Sequence, residues 1–215
     1  MIADAQARVE LRAIAGEQAA LRRVATLVAD GAAPGAVFAA VAAEAGNVLP
    51  EADLTMVGRY DGDGGVEVAD GWSRAGRRVP AGRRPVAGGQ DVSAQVFATG
   101  RPARADELAG GGDAVTAAAG GTGMRSWAGA PISVEGRLWG VLIVASARQS
   151  ALPPGAERRL AALAALLAAA IAGAQARAEL AACRARTAAT ADETRRRIGR
   201  DLHDGAQQRD RKSVV

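Results

Sequence analysis

The chain has 215 residues, 49% of them hydrophobic and 23% charged, with a net charge of +4. That length holds one ordinary domain plus extra helix, or two small domains, and so mild a charge does not by itself imply a nucleic-acid partner. The single cysteine, Cys183, excludes an internal disulfide and fits a reducing, cytoplasmic compartment.

In chain order, residues from Met1 to about Asp30 read as a helix, with Ile14, Leu21, Val24, Leu27 and Val28 at helical spacing. Gly31 ends it, and Pro34 suits the first turn of a second helix reaching about Ala45, whose apolar face is Val37, Phe38 and Val41. Ala52–Tyr60 changes period and predicts a strand, Asp61–Gly65 a tight turn, and Val66–Trp72 the returning strand. Arg74–Gly89 is loop-like with room for a short strand. "DVSAQVFATG" predicts a short helix capped by Asp91 and closed by Gly100. The Gly/Ala-rich Ala109–Gly123 predicts a loop or weak helix.

"MRSWAGAPISV", the turn Glu135–Gly136 and "RLWGVLIVASA" are the clearest β signal. The second strand is almost wholly apolar, which predicts a central position in its sheet. A long helix begins near Pro154, with Leu160, Leu163, Leu167, Ala170 and Ala174 on one face, and can continue past Cys183 and the capping-box pattern at Thr190–Glu193. Its stretch Leu160–Ala176 is mostly alanine and falls short of the ~20 strongly apolar residues of a membrane span; it reads as a core or dimer-facing helix, and no membrane segment is expected. The N-terminus is charged throughout and lacks the apolar core of a signal peptide. An antiparallel sheet with helices on one side would bury these faces.

Residues 17–176 resemble a GAF domain of actinobacterial type, carried by "LRRVATLVADGAAPGAVFAAVAAEAG", "SAQVFATGRPAR" and "RSWAGAPISVEGRLWGVLIVAS". Residues 192–209, "DETRRRIGRDLHDGAQQR", resemble the phosphoacceptor helix of sensor histidine kinases of the HDxxxQ subfamily. The implied fold class is α+β: a GAF domain with an antiparallel sheet and flanking helices, then a long coiled-coil helix running into that phosphoacceptor helix. Residues 1–16 are then a helical extension, 177–191 a helical linker and 210–215 an atypical tail.

The resemblance implies that His203 accepts the γ-phosphoryl group of ATP. Imidazole suits the task, being a nitrogen nucleophile substantially neutral near pH 7. Asp204 would orient the ring by accepting its other N–H. Gln208, four residues on, would help align the water that hydrolyses a partner's phospho-aspartate. Arg197 and Arg200 can steer phosphate or an acidic partner, though a solvated charged face explains them equally. A His–Asp pair alone is usually surface decoration; the whole string gives it a role. One histidine and one cysteine make a metal site unexpected.

The GAF region holds no histidine or cysteine, which argues against His-ligated haem, a thioether-linked bilin and a thiol sensor. Tyr60, Trp72, Phe97, Trp127 and Trp139 can line a ligand pocket or anchor the core, the first four being the pocket candidates. The GAF ligand is not identified by the sequence, and no cofactor is expected on this chain. ATP and Mg belong to a catalytic domain that the family carries beyond this helix. "DRKSVV", with the only lysine, Lys212, breaks the apolar stripe and is expected to be foreign to the family pattern. The implied protein is the sensory and phosphoacceptor part of a two-component histidine kinase, a homodimer through its long helices that hands phosphate to a response regulator. The alternative is a non-catalytic, dimerising GAF ligand-binding module. DNA binding through "RRRIGR" lacks the aromatic residues that would support base contacts.

Overall fold

The computed structural model describes residues 2–76, 79, 82–84, 91–106, 123–148 and 152–212, without the side chains of 2–10, 12, 83–84, 189, 192–193 and 197–212. The contacts divide the chain into two compact units, Met1–Gly173 and Ala174–Val215. The first is built of helices α1 (Ile2–Ala29) and α2 (Pro34–Val48), strands β1 (Leu54–Tyr60), β2 (Val66–Ser73) and β3 (Gly82–Arg84), helix α3 (Val92–Thr99), strands β4 (Ala103–Asp106), β5 (Ser126–Val134) and β6 (Arg137–Ser146), and the start of helix α4 (Ala156–Lys212).

The six strands form one antiparallel sheet in the order β3-β2-β1-β6-β5-β4. The apolar strand β6 lies between β1 and β5, as its composition predicts, because a strand covered on both faces has no use for polar positions. It is reached through a two-residue turn in which Glu135 and Gly136 both take positive φ, 51° and 77°. That conformation matches the twist of a hairpin and costs glycine nothing.

On one face α1, α2 and the first turns of α4 bury Val24, Val37, Val41, Leu160, Leu163 and Leu167 against Val57, Leu142 and Val144 of the strands. The stretch Ala156–Ala188 is long and apolar enough to cross a membrane, yet Leu160, Leu163, Leu167 and Ile171 are spent in this core. The three helices are also pinned by ion pairs: Arg23 to Glu44 at 2.6 Å and Arg159 to Glu17 at 3.6 Å.

Two features depart from the sequence expectation. Helix α3 packs on the opposite face, with Val92 and Val96 among Leu54, Met56, Val141 and Ile143, so the helices are not all on one side. The segment after it forms β4, an edge strand paired with β5, where no strand was expected. The capping-box pattern at Thr190–Glu193 lies inside α4, which runs unbroken to Lys212. The expected loop at 109–123 falls outside the described residues except Gly123, as does the tail beyond Lys212.

Candidate functional site

Helix α3 is where sequence and packing meet on the face of the sheet opposite α1 and α2. Asp91 caps it through Oδ1, which accepts from the Ser93 backbone N–H at 2.7 Å and from the Ser93 hydroxyl at 2.6 Å. The Ser93 carbonyl in turn accepts from the Tyr60 hydroxyl at 2.7 Å, tying β1 to the helix start. Val92 reaches the sheet only because β5 has a glycine beneath it: a Cβ on Gly129 would stand 2.6 Å from the Val92 methyl carbon Cγ1.

The four pocket candidates do not converge. Tyr60 and Phe97 are neighbours, their rings 5.0 Å apart and tilted by 55°, a favourable edge-type contact. Phe97 stands 42% exposed over the β1–β2 turn at Gly64. Trp127 is buried on the same face, but in the row of Leu54 and Ala145. Tyr60 is at the other end of β1, roughly 20 Å along the strand from Leu54. Trp72 lies on the opposite face, its ring seated on Gly46 of α2, with the Arg74 guanidinium 5.6 Å from the ring centre. Strand alternation explains the separation: Trp72 pairs with Thr55, whose side chain faces the helices, whereas Leu54 and Met56 face α3. Trp139 is on the helix side too, 5.7 Å from Phe38.

Two unpartnered polar atoms stand out on the α3 face. Asp91 Oδ2 and Trp127 Nε1 are buried without a hydrogen-bond partner. The sequence marks Asp91 as a cap and Trp127 as an aromatic; it carries no signal that one oxygen and one N–H are left over.

The same end of the sheet holds the start of α4. The Arg104 guanidinium of β4 donates to the carbonyls of Leu152 and Pro153 and to the Asp106 carboxylate at 2.8 Å. The Leu152 N–H donates to the buried Ser126 hydroxyl at 3.2 Å. Strands β4 and β5 therefore grip the linker that opens into α4; sequence reading singled out neither Arg104 nor Ser126.

Arg197, Arg200, His203, Asp204 and Gln208 all fall within α4, and their side chains lie outside the described residues. On the helix Arg200 is one turn before His203, Arg197 nearly two, and Asp204 and Gln208 are one turn apart. Among the described residues no group of three His, Cys, Asp or Glu is placed to hold a metal ion.

The profile of the GAF domain family matches residues 31–172. No curated protein sequence is significantly similar to the chain. Among solved structures, the phycoerythrobilin-bound GAF domain of a cyanobacterial phytochrome superposes with a TM-score of 0.57 at 18% identity, over 73% of this chain and 94% of that one. Free methionine-R-sulfoxide reductase from Neisseria meningitidis, in complex with its substrate, gives 0.60 at 22% identity, over 74% and 91%. The GAF domain of a phosphoenolpyruvate-protein phosphotransferase from Coxiella burnetii gives 0.60 at 20%, over 76% and 97%. These likenesses show the fold. With the family profile covering well over half its length, the chain belongs to the GAF domain family, the sensory and ligand-binding modules of signalling proteins.

Proposed function

We propose that the chain is the sensory and phosphoacceptor part of a cytoplasmic two-component histidine kinase. The observation that carries the reading is the string "DETRRRIGRDLHDGAQQR" on a helix continuous with the GAF core. In this reading the nitrogen of His203 attacks the γ-phosphorus of ATP, the bond to the β-phosphate oxygen breaks, and ADP leaves. ATP and Mg are brought by the ATP-binding domain that kinases of this kind carry. Asp204 holds the ring, Gln208 serves the dephosphorylation of the regulator aspartate, and Arg197 and Arg200 steer phosphate or the acidic regulator.

The route from sensor to helix is the Arg104 and Ser126 grip on residues 152–153, which ties strands β4 and β5 to the start of α4. Ligand-bound neighbours of the same fold, one holding a bilin and one its own substrate, support a ligand-binding role for the domain. A homodimer is supported by apolar side chains left in solvent on the long helices: Leu11 is 66%, Ile14 57% and Leu180 51% exposed.

The test joins this chain in frame to the ATP-binding domain of an HDxxxQ histidine kinase and supplies ATP labelled at the γ-phosphate. Acid-labile, alkali-stable label on the chain is expected, absent in His203→Gln. Gln208→Ala is expected to keep the label and to slow removal of phosphate from the regulator. Label that persists in His203→Gln overturns the assignment and leaves a GAF module that binds and dimerises without phosphotransfer.

A further inference from the structure

Among the described residues, the second unit, Ala174–Val215, consists of α4 alone. Along it Ala176, Leu180, Cys183, Thr187, Thr190 and Thr194 follow one another at alternating four- and three-residue steps, and all six are exposed. That spacing is the heptad seam of a two-stranded coiled coil, and no charged residue interrupts it. Its threonines are suited to burial. The hydroxyls of Thr187, Thr190 and Thr194 donate to the helix's own carbonyls of Cys183, Arg186 and Thr190 at 3.1, 3.1 and 2.9 Å, so taking them out of water strands no donor. A lone helix in water is marginal and gains its stability by packing one face.

The charges beside the seam say what covers it. With Leu180 opposite Leu180 of a parallel second copy, Glu179 and Arg184 flank the seam five residues apart, the spacing that pairs opposite charges across it. Arg186 meets the neutral Ala191 in the same way. An antiparallel copy would instead set the flank that carries Arg177 and Arg184 against itself. We infer that a second copy of this chain docks on this face in parallel and in register, and that the seam loses its phase just ahead of His203. Continued past Thr194, the heptad would bring in Arg197 and Asp201, whereas the apolar Ile198 and Leu202 stand one position later. Thr194 to Ile198 to Leu202 are two four-residue steps in succession, a stutter of the kind that locally unwinds a supercoil. Packing at Leu180 and Cys183 turns Arg197 and Asp201 inward at the cost of burying charge. Packing at Ile198 and Leu202 twists the threonine stretch, which resists least because its small side chains bury little area. His203 follows Leu202 and turns with it, so the break is the point at which the linker sets the histidine. This rests on the dimer proposed above and not on phosphorylation of His203.

The experiment is single-thiol cross-linking of the full chain with copper–phenanthroline, read on non-reducing gels beside sedimentation. Cys183, the only cysteine, is expected to give a covalent dimer, because a parallel, in-register seam brings the two copies of a seam residue within the reach of a disulfide. In the Cys183→Ser chain, Leu180→Cys and Thr190→Cys are each expected to cross-link, and Ala178→Cys and Ala185→Cys, on the far side of the helix, at least tenfold more slowly. Melting temperatures are expected to stay unchanged, since all these positions are exposed. An antiparallel pair sets only one position against itself and so cannot cross-link at all three seam positions. Deleting Arg196 brings Ile198 and Leu202 into the heptad and is expected to tighten the dimer at least fivefold, whereas Arg196→Ala, which keeps the phase, changes it less than twofold. A dimer that cross-links at one seam position only, or as fast at 178 and 185, overturns the parallel seam. A dimer no tighter after the deletion overturns the phase break. A chain that sediments as a monomer throughout overturns the seam together with the dimer, and leaves the labelling of His203 to be decided by its own test.

Discussion

Glu44 shows how much one partner sets the behaviour of a side chain. The Arg23 guanidinium hydrogen-bonds to it and holds its carboxyl below the usual glutamate range, with burial opposing and Asn47 helping. A depressed folded-state value means stability that is complete above about pH 4.5 and is lost as the pH falls below it. Glu44→Gln is therefore expected to flatten the acid limb of the stability curve in urea titrations between pH 5 and about 3 and to lose the same amount at pH 7, a small amount because the arginine is solvent-exposed. Gly46, two residues on, is constrained by shape. A Cβ there would stand 2.5 Å from the Trp72 ring, so Gly46→Ala is expected to cost about 1–3 kcal/mol in chemical denaturation. Trp72→Leu in the same chain should recover part of the loss; no recovery would mean the ring is not the obstacle.

Helix α4 has two characters within one element. Leu167 is fully buried, whereas Leu180 is 51% exposed. Leu167→Ala is expected to destabilise the domain by about 2–5 kcal/mol, as truncation in a packed core does. Leu180→Arg should leave the melting temperature nearly unchanged yet shift the chain from dimer to monomer in sedimentation, if the exposed stripe is the dimer seam proposed above. The linker before α4 depends on Arg104, whose donors serve two backbone carbonyls of residues 152 and 153. Hydrogen bonds to a charged group are worth about 1.5–3 kcal/mol. Arg104→Ala is expected to cost about that much and to speed amide exchange at the start of α4. Faster exchange elsewhere but not there would deny the linker its dependence on this side chain.

Across the whole molecule, most elements were legible because their signals are local. Apolar spacing marks α1 and α4, Pro34 opens α2, Asp91 and Gly100 bracket α3, and Glu135–Gly136 joins two strands. The β4 strand was missed because three half-buried residues and an exposed one, two of the four charged, carry no alternation of their own; β5 supplies their hydrogen bonds. The placement of α3 was missed for a related reason: its apolar side says that it packs, not on which face of a sheet. The candidate site divides the same way. The role proposed for the string around His203 rests on the order of residues along one helix, and the fold adds nothing to it. The pocket aromatics were grouped by type, whereas the pairing of Trp72 with Thr55 and the register shift that skips Trp139 put both on the helix side. The sequence by itself determined the elements and the family pattern, since these depend on neighbours within a few residues. Only tertiary structure decided which aromatics share a face, that Arg104 reaches the start of α4, and that Asp91 and Trp127 each keep one buried polar atom unpaired, because burial and pairing are set by residues distant in the chain.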